Sequence, residues 1–220
     1  MKKNIRVALL GNPNSGKTTL FNSLTGSTAY VGNWPSVTVE KKSGTYYFKG
    51  KGKDREGIDI IDLPGIYSLS PYTPEEVISR NYILKENPDV VINVIDATNL
   101  ERNLYMTTQL LEIDVPVVLA VNMTDALAES GKTIDYAKLK EKIKIPVVPI
   151  SALEEKGLDN LMKVTKVEAN KKREAYSVIT DKKIEKVTEI YKKYKIANPL
   201  FHAIKALEKD EIEESENKEA

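Results

Sequence analysis

Short apolar runs alternate with segments of helical periodicity along most of this chain. The runs predict strands at six places: 5–10, 37–48, 57–62, 90–96, 115–121 and 146–150. Those at 90–96 and 115–121 are almost continuously apolar, which is typical of strands that helices cover on both faces. The run at 37–48 is more polar, and a turn-rich link over 50–54 joins it to 57–62, so this pair predicts a hairpin at the sheet edge. The pattern therefore predicts an α/β fold with a six-stranded, mostly parallel sheet, one antiparallel edge hairpin and helices on both faces.

The helical segments divide the chain into three parts. Helices are predicted over 17–25, 75–86, 101–112, 135–143 and 157–173. Later in the chain, 182–195 places its apolar side chains on one helical face, and a second short helix follows Asn198-Pro199. The strongly acidic end of the chain indicates a tail that we expect to be disordered. The predicted parts are an α/β domain over 1–168, a small helical appendage over 169–210 and an acidic tail over 211–220.

A glycine-rich turn between the first predicted strand and the first helix carries the clearest chemical signal. Residues 11–18 read Gly-Asn-Pro-Asn-Ser-Gly-Lys-Thr and match G-x-x-x-x-G-K-[ST] in the strand-to-helix context that this pattern requires. Glycine lets the backbone turn its N–H groups toward an anion, and the helix adds the positive end of its dipole. Lys17 is expected to reach the β- and γ-phosphates of a nucleotide, and the Thr18 hydroxyl to ligate Mg²⁺. The motif predicts a P-loop NTPase with nucleotide contacts from Gly11, Asn14, Ser15, Gly16, Lys17, Thr18 and Thr19.

A second motif, Asp-Leu-Pro-Gly over residues 62–65, ends the third predicted strand. Asp62 is expected to hold Mg²⁺ through water, and the Gly65 N–H to contact the γ-phosphate. A D-x-x-G sequence by itself is equally typical of an ordinary turn. Its position after an apolar strand is what favours the functional interpretation.

The tetrapeptide Asn-Met-Thr-Asp over residues 122–125 follows the fifth predicted strand and favours guanine over adenine. Guanine presents adjacent N1–H and 2-amino donors that the Asp125 carboxylate can accept together, whereas the unprotonated N1 of adenine would repel it. Asn122 is expected to tie this loop to the base and to the P-loop. Met123 is expected to cover the base in place of the lysine more usual there. A further group of expected base contacts follows the sixth strand: Ser151, Ala152 and Leu153. A backbone N–H near Ala152 is expected to bond guanine O6.

Composition narrows the function classes. The formal net charge of +1 provides no overall field that would favour nucleic acid or an anionic membrane. The chain has no cysteine, which excludes disulfides and thiolate metal sites, and its one histidine, His202, is expected to be structural. Its start lacks the apolar stretch of a signal peptide, and no run approaches the length of a membrane span. We therefore expect a soluble protein with no nucleic-acid partner.

In their order, the four motif segments resemble those of small GTPases. The resemblance places Thr38 at the switch I position, where its hydroxyl bonds Mg²⁺ and the γ-phosphate only in the triphosphate state. We refer to residues 28–38 as switch I. Ile66 stands where Ras-like proteins have the glutamine that orients the attacking water, so a slow intrinsic rate is expected. No arginine is obviously placed as a finger, and Arg80 and Arg102 are interpreted as surface residues on helices.

Asn14 has two interpretations from its chemistry. Its side chain can stabilise the P-loop as an ordinary loop residue. In a subset of GTPases, an asparagine at this position instead coordinates a monovalent cation beside the phosphates. A K⁺ ion there would stabilise the charge that develops between the β- and γ-phosphates, as an arginine finger does. Residue type alone leaves both interpretations open.

Switch I also narrows the family. Residues 31–40 read V-G-N-W-P-S-V-T-V-E and closely resemble the V-G-N-W-P-G-V-T-V-E segment of FeoB ferrous-iron transporters, with Ser36 in place of a glycine. The match continues through 62–70, 79–82 and 94–105. By similarity, Asn14 would bind K⁺ together with the backbone carbonyls of Gly32 and Trp34. Trp34 has an alternative role as a buried anchor of the loop.

The FeoB resemblance implies an architecture and a set of partners. FeoB proteins carry a cytosolic Ras-like G domain, a helical domain that slows GDP release in some members, and a membrane domain that carries Fe²⁺. Residues 1–168 then correspond to the G domain and 169–210 to a short GDI-like appendage, at the cytoplasmic face of the cell membrane. The implied partner is the membrane-embedded Fe²⁺ permease domain of the same polypeptide, and a homo-oligomer is compatible with the sequence. The implied cofactors are GTP or GDP, Mg²⁺ and K⁺, with catalytic groups from Lys17, Asn14, Thr38 and Gly65.

Two other functions fit parts of the sequence. One is a soluble GTPase of the Era or tRNA-modification type, although such proteins usually add a basic RNA-binding domain and this appendage ends acidic. The other is a GTP-dependent interaction module without catalysis. Ile66 motivates this alternative, because it stands in place of the glutamine that orients the attacking water. The leading prediction is a K⁺-stimulated GTPase that regulates or drives a membrane Fe²⁺ transporter.

Overall fold

A seven-stranded mixed sheet forms the centre of the computed structural model, which describes residues 4–35, 37–48 and 56–216. Its strand order is β2-β3-β4-β1-β5-β6-β7. Strands β2 and β3 run antiparallel to their neighbours at one edge, and the other five strands are parallel. The strands are β1 (Ile5–Gly11), β2 (Tyr30–Asn33), β3 (Glu40–Tyr47), β4 (Gly57–Asp62), β5 (Val90–Asp96), β6 (Val117–Asn122) and β7 (Val147–Pro149).

The predicted mostly parallel α/β sheet and its antiparallel edge pair are confirmed, and the predicted strand number is one too low. The extra strand, β2, pairs with β3 from Tyr30 opposite Ser43 to Asn33 opposite Glu40. Tyr30 and Val31 are exposed, so this strand has no buried face and therefore no apolar alternation to reveal it. The predicted turn over 50–54 lies outside the described residues.

Nine helices surround the sheet in the described part of the chain. They are α1 (Lys17–Thr25), α2 (Pro74–Lys85), α3 (Leu100–Leu111), α4 (Thr124–Glu129), α5 (Tyr136–Ile143), α6 (Leu158–Glu168), α7 (Lys182–Lys193), α8 (Pro199–Leu207) and α9 (Glu211–Glu216). The sequence pattern did not predict α4, which is too short to display a helical period. Helix α6 ends five residues earlier than predicted.

Two apolar cores, one on each face of the sheet, hold the helices in place. Because side chains alternate along a strand, Val7 and Leu9 of β1 face one core while Ala8 and Leu10 face the other. The first of these cores packs against α1 and α6, and the second against α2, α3 and α5. Because the five parallel strands run in the same direction, their carboxyl ends lie at one edge of the sheet, and the loops that follow them come together there.

The C-terminal helices are joined to α2 by a buried group of charged and polar side chains. Arg80 of α2 donates a hydrogen bond of 2.7 Å to Asp210, and its guanidinium lies 3.8 Å from the Glu213 carboxylate. Glu213 also accepts a hydrogen bond from the Tyr191 hydroxyl and lies 2.6 Å from His202 Nδ1. The expectation that Arg80 is a surface residue is therefore wrong, since its side chain is only 2% exposed.

The end of the chain also differs from the sequence-based expectation of a disordered tail. Residues 211–216 form α9, and Glu213 is 2% exposed. The Glu213 carboxylate helps to neutralise Arg80, and composition alone does not reveal this role. Residues 217–220 of the expected tail lie outside the described residues.

The Glu112 carboxyl, at the C-terminal end of α3, gives the fold a pH dependence that can be measured. Burial raises its pKa to about 7 from an ordinary value of 4.5, and the hydrogen bond from Ser177 Oγ opposes the shift only in part. Between pH 4.5 and pH 7 the folded state binds more protons here than the unfolded state does. Its contribution to stability is therefore present at low pH and is lost as the pH rises to about 7.

We expect Glu112→Gln to remove this contribution while keeping an oxygen acceptor for Ser177. Relative to the variant, the wild type should lose about 2–3 kcal/mol of unfolding free energy between pH 5 and pH 8. Urea unfolding of both proteins at the two pH values measures this difference. A constant difference between the two proteins across that range would contradict the assignment to Glu112.

Candidate nucleotide-binding site

The turn between β1 and α1 has the backbone geometry of an anion cradle. Asn14 and Gly16 adopt the left-handed conformation, with φ of 66° and 79°, and the Ser15 N–H donates to the Asn12 carbonyl at 3.1 Å. A Cβ atom added to Gly16 would lie 2.3 Å from Asn122 Nδ2, so only glycine fits there. This turn places the N-terminus of α1 toward the space in front of it.

A cavity of about 590 Å³ opens in front of this turn. Asn14 and Thr18 are exposed beside it, and Lys17 is buried. Asn12 and Pro13 also line the cavity, which the motif analysis missed although both lie within the motif. The lining residues are Asn12, Pro13, Asn14, Gly16, Lys17, Thr18, Thr19, Gly65 and Met123.

Lys17 and Asp62 form a buried ion pair through Lys17 Nζ and Asp62 Oδ1. Both residues are less than a tenth exposed. Burial raises the pKa of Asp62, and the attraction of Lys17 opposes that rise. An anionic ligand of Lys17 would have to compete with this carboxylate, which would then be released toward a metal ion. The two residues expected to serve phosphate and metal are thus already in contact.

The segment after β4 packs against the P-loop through its backbone. The Ile66 N–H donates to the Gly11 carbonyl at 3.2 Å, and a Cβ atom on Gly65 would lie 3.4 Å from Pro13 Cα. Gly65 therefore lies beside the cavity, as its expected contact with a γ-phosphate requires. The Ile66 side chain is 2% exposed and belongs to the core, so it does not line the cavity.

Asn122 connects the P-loop with the two loops that are expected to hold the base. Its Nδ2 donates to the Ser15 carbonyl at 2.9 Å, and its Oδ1 accepts from the Ala152 N–H at 2.9 Å. The predicted tie between this loop and the P-loop is present. A backbone N–H near Ala152 was expected to bond guanine O6, and the N–H of Ala152 itself is engaged by Asn122.

Asp125 has a buried acceptor atom with no partner. It lies in the first turn of α4, half-buried, and its Oδ1 is out of contact with solvent and accepts no hydrogen bond. A buried carboxylate oxygen without a donor is destabilising, so its presence indicates a ligand that brings one. Met123, in the left-handed conformation with φ of 64°, lines the cavity two residues before Asp125 in the chain.

The last predicted base contact lies in a tight turn after β7. Ser151 is buried and forms a two-way backbone bridge with Lys156, and its hydroxyl accepts from the Glu154 N–H at 3.2 Å. Leu153 is 79% exposed and packs on little of the protein. The turn is therefore preorganised by Ser151, while Leu153 contributes no visible contact to the site.

The switch I residues do not join the cavity in this structure. Gly32 lies in β2, and Thr38 is exposed in the bend that precedes β3. Trp34 is 9% exposed and packs edge-on against Tyr82 of α2, which supports its role as a buried anchor. Gly32, Trp34 and Thr38 are all absent from the lining of the Asn14 cavity. Ser36 lies outside the described residues.

The donor atoms near the cavity fit a hard divalent cation. The Thr18 hydroxyl and the Asp62 carboxylate are oxygen ligands of the kind that Mg²⁺ prefers, with phosphates and water completing its shell. Among the described residues, no cluster of three or more His, Cys, Asp or Glu could hold a metal by itself. None of the described helices is long and apolar enough to cross a membrane.

Comparisons with known proteins agree on one family. The FeoB_N family model, described as Ferrous iron transport protein B, matches residues 5–165. A fusion protein of Porphyromonas gingivalis, named Fe(2+) transport protein A/Fe(2+) transporter FeoB, is 50% identical over 161 residues, which is 71% of this chain. The Fe(2+) transporter FeoB of Methanocaldococcus jannaschii is 42% identical over 217 residues, or 96% of this chain.

Solved structures of FeoB domains have the same fold along nearly the whole chain. A GDP-bound mutant of S. thermophilus NFeoB is 44% identical and superposes with a TM-score of 0.85, covering 96% of this chain and 82% of that one. The apo cytosolic domain of the T. maritima FeoB iron transporter is 39% identical with a TM-score of 0.87, covering 97% and 85%.

The curated relatives are much longer than this chain, which spans 18% of the P. gingivalis protein and 32% of the M. jannaschii protein. The family match begins with β1 and ends within α6, so it includes every motif segment described above. The chain therefore belongs to the FeoB family of ferrous-iron transport proteins, of which it represents the N-terminal G domain.

Proposed function

We propose that this chain binds GTP and hydrolyses it to GDP and phosphate, and thereby regulates or drives Fe²⁺ uptake through a membrane-embedded part of the same polypeptide. The observation that carries the guanine assignment is the unpartnered, buried Oδ1 of Asp125, two residues after Met123 of the cavity lining, in a segment that Asn122 ties to the P-loop. The names of the relatives support the link to iron transport. A location at the cytoplasmic face of the membrane follows from the same proposal.

The residues around the cavity have distinct roles in this proposal. Backbone N–H groups of the P-loop and the Lys17 ammonium hold the phosphates, after Lys17 has left Asp62. The Gly65 N–H contacts the γ-phosphate, and Thr38 joins it when switch I closes. Mg²⁺, when bound by Thr18 and by Asp62 through water, supplies positive charge that offsets the charge of the phosphates.

K⁺ is the proposed source of the remaining positive charge. Asn14 is exposed beside the cavity in the left-handed conformation, and its side chain makes no hydrogen bond to the described residues. The side chain is therefore available as a cation ligand, together with the carbonyls of Gly32 and Trp34 once switch I has moved. No arginine is among the described residues that line this cavity, so a cation at this position would act on the developing charge in place of an arginine finger.

The test is GTP hydrolysis in KCl and in NaCl at equal ionic strength, with wild type and Asn14→Ala. We expect stimulation by K⁺ of about tenfold or more in the wild type, from charge stabilisation in the transition state, and none in the variant. GTP affinity, measured in parallel by calorimetry, is the control. Failure of the wild type to bind GTP would refute the proposed function itself.

A GTP-dependent interaction module without catalysis is the second candidate, and the buried Ile66 favours it. A side chain that is 2% exposed and apolar cannot orient a water molecule. This candidate predicts tight GTP binding with equal turnover in both salts, no faster than about 10⁻⁴ s⁻¹, the scale of unassisted hydrolysis. The salt comparison therefore separates the two functions.

We also propose that the GDI-like appendage predicted over 169–210, which contains α7 and α8, acts on the nucleotide site together with α9. Helix α2 follows the segment that contains Gly65, and Arg80 joins this helix to Asp210 and Glu213. The ionic contact joins the appendage to the helix that follows the Gly65 segment in the chain. The rate of GDP release, compared between the wild type and a variant of Arg80, measures that role.

A further inference from the structure

Helix α7 presents a row of lysines to solvent. Lys182, Lys186 and Lys193 are spaced by four and then seven residues, so they project from the same side of a helix with 3.6 residues per turn. Lys183 borders this row, and Ile190 and Tyr194 continue it along the same side. All six residues are exposed, and we call them the α7 lysine face: Lys182, Lys183, Lys186, Ile190, Lys193 and Tyr194.

The opposite side of α7 is fixed to the rest of the protein. Tyr191 is 4% exposed, and its ring stacks on His202 of α8 with centroids 6.1 Å apart. Its hydroxyl donates to the Glu213 carboxylate at 2.9 Å. Thr188, one turn earlier on this side, is also buried. The α7 lysine face therefore points away from the protein.

The acidic side chains of α7 lie on another side of the helix. Glu185 and Glu189 line a cavity of about 520 Å³ together with Asp114 and Glu174, and the four lysines of the face do not line it. Glu189 is paired with Lys192, whose Nζ lies 2.8 Å from the carboxylate. Within the described part of the chain, the four lysines of the face form no ion pair. Their charges are therefore not neutralised by neighbouring side chains.

A surface of this composition complements an anionic lipid leaflet. Each lysine held close to such a leaflet raises the partition coefficient about fivefold. Ile190 is 43% exposed and Tyr194 is 61% exposed, so both side chains are available to enter the headgroup region. Lysines beside exposed aromatic and aliphatic side chains are typical of helices that lie on a membrane surface. The formal net charge of +1 does not indicate this face, because it sums charges that the fold separates.

From these observations we propose that the α7 lysine face docks the chain on the anionic lipid surface of the membrane. This inference rests on the proposed function, which places the chain at the cytoplasmic face of that membrane. The contact is electrostatic, between lysine ammonium groups and lipid phosphates, with Ile190 and Tyr194 adding apolar contact. Docking through α7 fixes how the nucleotide site is oriented relative to the membrane.

Vesicle co-sedimentation measures this contact. The chain should bind vesicles made of equal parts of phosphatidylglycerol and phosphatidylcholine, and its partition coefficient for pure phosphatidylcholine vesicles should be about 100-fold lower. Raising KCl from about 0.1 M to 1 M shortens the screening length from about 10 Å to 3 Å and should weaken the binding by about tenfold or more. Equal binding to both kinds of vesicle, or binding that salt does not weaken, would overturn the inference.

Replacing the four lysines of the face with glutamine tests the surface itself. The partition coefficient for anionic vesicles should fall about 100-fold or more, because the contributions of the lysines multiply. The matched control replaces four exposed lysines outside α7 that also form no ion pair with the described residues: Lys132, Lys138, Lys140 and Lys142. It removes the same charge and should change the coefficient by less than about threefold, since charges away from the leaflet are screened. Equal losses in the two variants would overturn the inference.

A fluorescent label identifies the side of the molecule that meets the vesicle. The chain has no cysteine, so Ile190→Cys and Lys142→Cys each create a single labelling site. An environment-sensitive fluorophore at position 190 should shift its emission to the blue on anionic vesicles, because this position enters the headgroup region. The same fluorophore at position 142 should keep its emission. A shift at position 142 without one at position 190 would place the contact elsewhere and overturn the inference.

Calorimetry with a non-hydrolysable GTP analogue separates this inference from the proposed function. The analogue should bind the wild type and the four-lysine variant equally, because no residue of α7 is among those that line the nucleotide cavity. Intact binding of the analogue without vesicle binding would overturn the lipid docking alone, whereas a wild type that does not bind the analogue would refute the proposed function. Binding of transfer RNA to the face, without binding to vesicles, would also overturn the lipid assignment.

Discussion

Asp125→Asn is expected to lower the affinity for GTP and GDP by about 100-fold to 1,000-fold, and to create affinity for the corresponding xanthosine nucleotides. Asp125 Oδ1 is buried and without a partner, so a guanine N–H is the donor that would satisfy it. Losing hydrogen bonds to a buried charged group costs about 1.5–3 kcal/mol for each bond. The fold-change stated here corresponds to one or two such bonds.

The xanthine outcome follows from the pattern of donors and acceptors. The Asn amide offers one acceptor and one donor, whereas the carboxylate offers two acceptors. With guanine, the 2-amino donor would face the N–H donor of the amide, and the two cannot form a hydrogen bond. Xanthine has a carbonyl oxygen at that position beside the same N1–H, and this matches the amide. Gain of xanthosine binding shows that the variant is folded and that residue 125 reads the base edge.

Calorimetric titration with GDP and with xanthosine diphosphate measures both effects. Glu129→Gln is the matched control, because it removes a carboxylate from the other end of α4, where the residue is exposed. It should leave GDP affinity within about twofold of the wild type, since an exposed charge contributes little. GDP binding that survives in Asp125→Asn would show that the base is held elsewhere.

The elements with a strong local signal were those that the sequence predicted best. Strands β5 and β6 are buried on both faces, so nearly every side chain in them is apolar and the run has no other simple interpretation. The P-loop motif is equally local, because the conformation of Gly16 and the start of α1 depend on adjacent residues. The contact of Asn122 with Ser15 followed from the order of the motifs at neighbouring strand ends.

Features that depend on distant contacts could not be predicted in this way. Strand β2 exists because β3 offers it a free edge, and its own residues carry no alternating pattern. Arg80 lies in a helix with little apolar asymmetry, and its partners are 130 residues away or more along the chain. The acidic composition near the end of the chain predicted carboxylates that are exposed to solvent. Nothing in the neighbouring sequence indicates that a buried arginine far along the chain neutralises some of them.

Arg80→Met is expected to destabilise the protein by about 3–5 kcal/mol, the scale for removing one partner of a buried ion pair. Arg80, Asp210 and Glu213 are each no more than 4% exposed at their side chains. The substitution keeps an unbranched side chain, shorter than that of arginine, and removes the charge that offsets the Asp210 carboxylate. Urea unfolding measures the loss, and Arg102→Met on α3, where the guanidinium lies exposed over the Tyr67 ring, should cost about 1 kcal/mol or less.

A second substitution distinguishes the ion pair from simple packing. Asp210 Oδ1 also accepts from the Glu213 N–H at 3.1 Å, and asparagine can keep this bond. Arg80→Met with Asp210→Asn should therefore recover part of the stability lost in Arg80→Met, because the uncompensated carboxylate is gone. If the two substitutions add without recovery, the cost lies in the volume of the arginine. An Arg80→Met protein within about 1 kcal/mol of the wild type would show that α9 is held to α2 by other contacts.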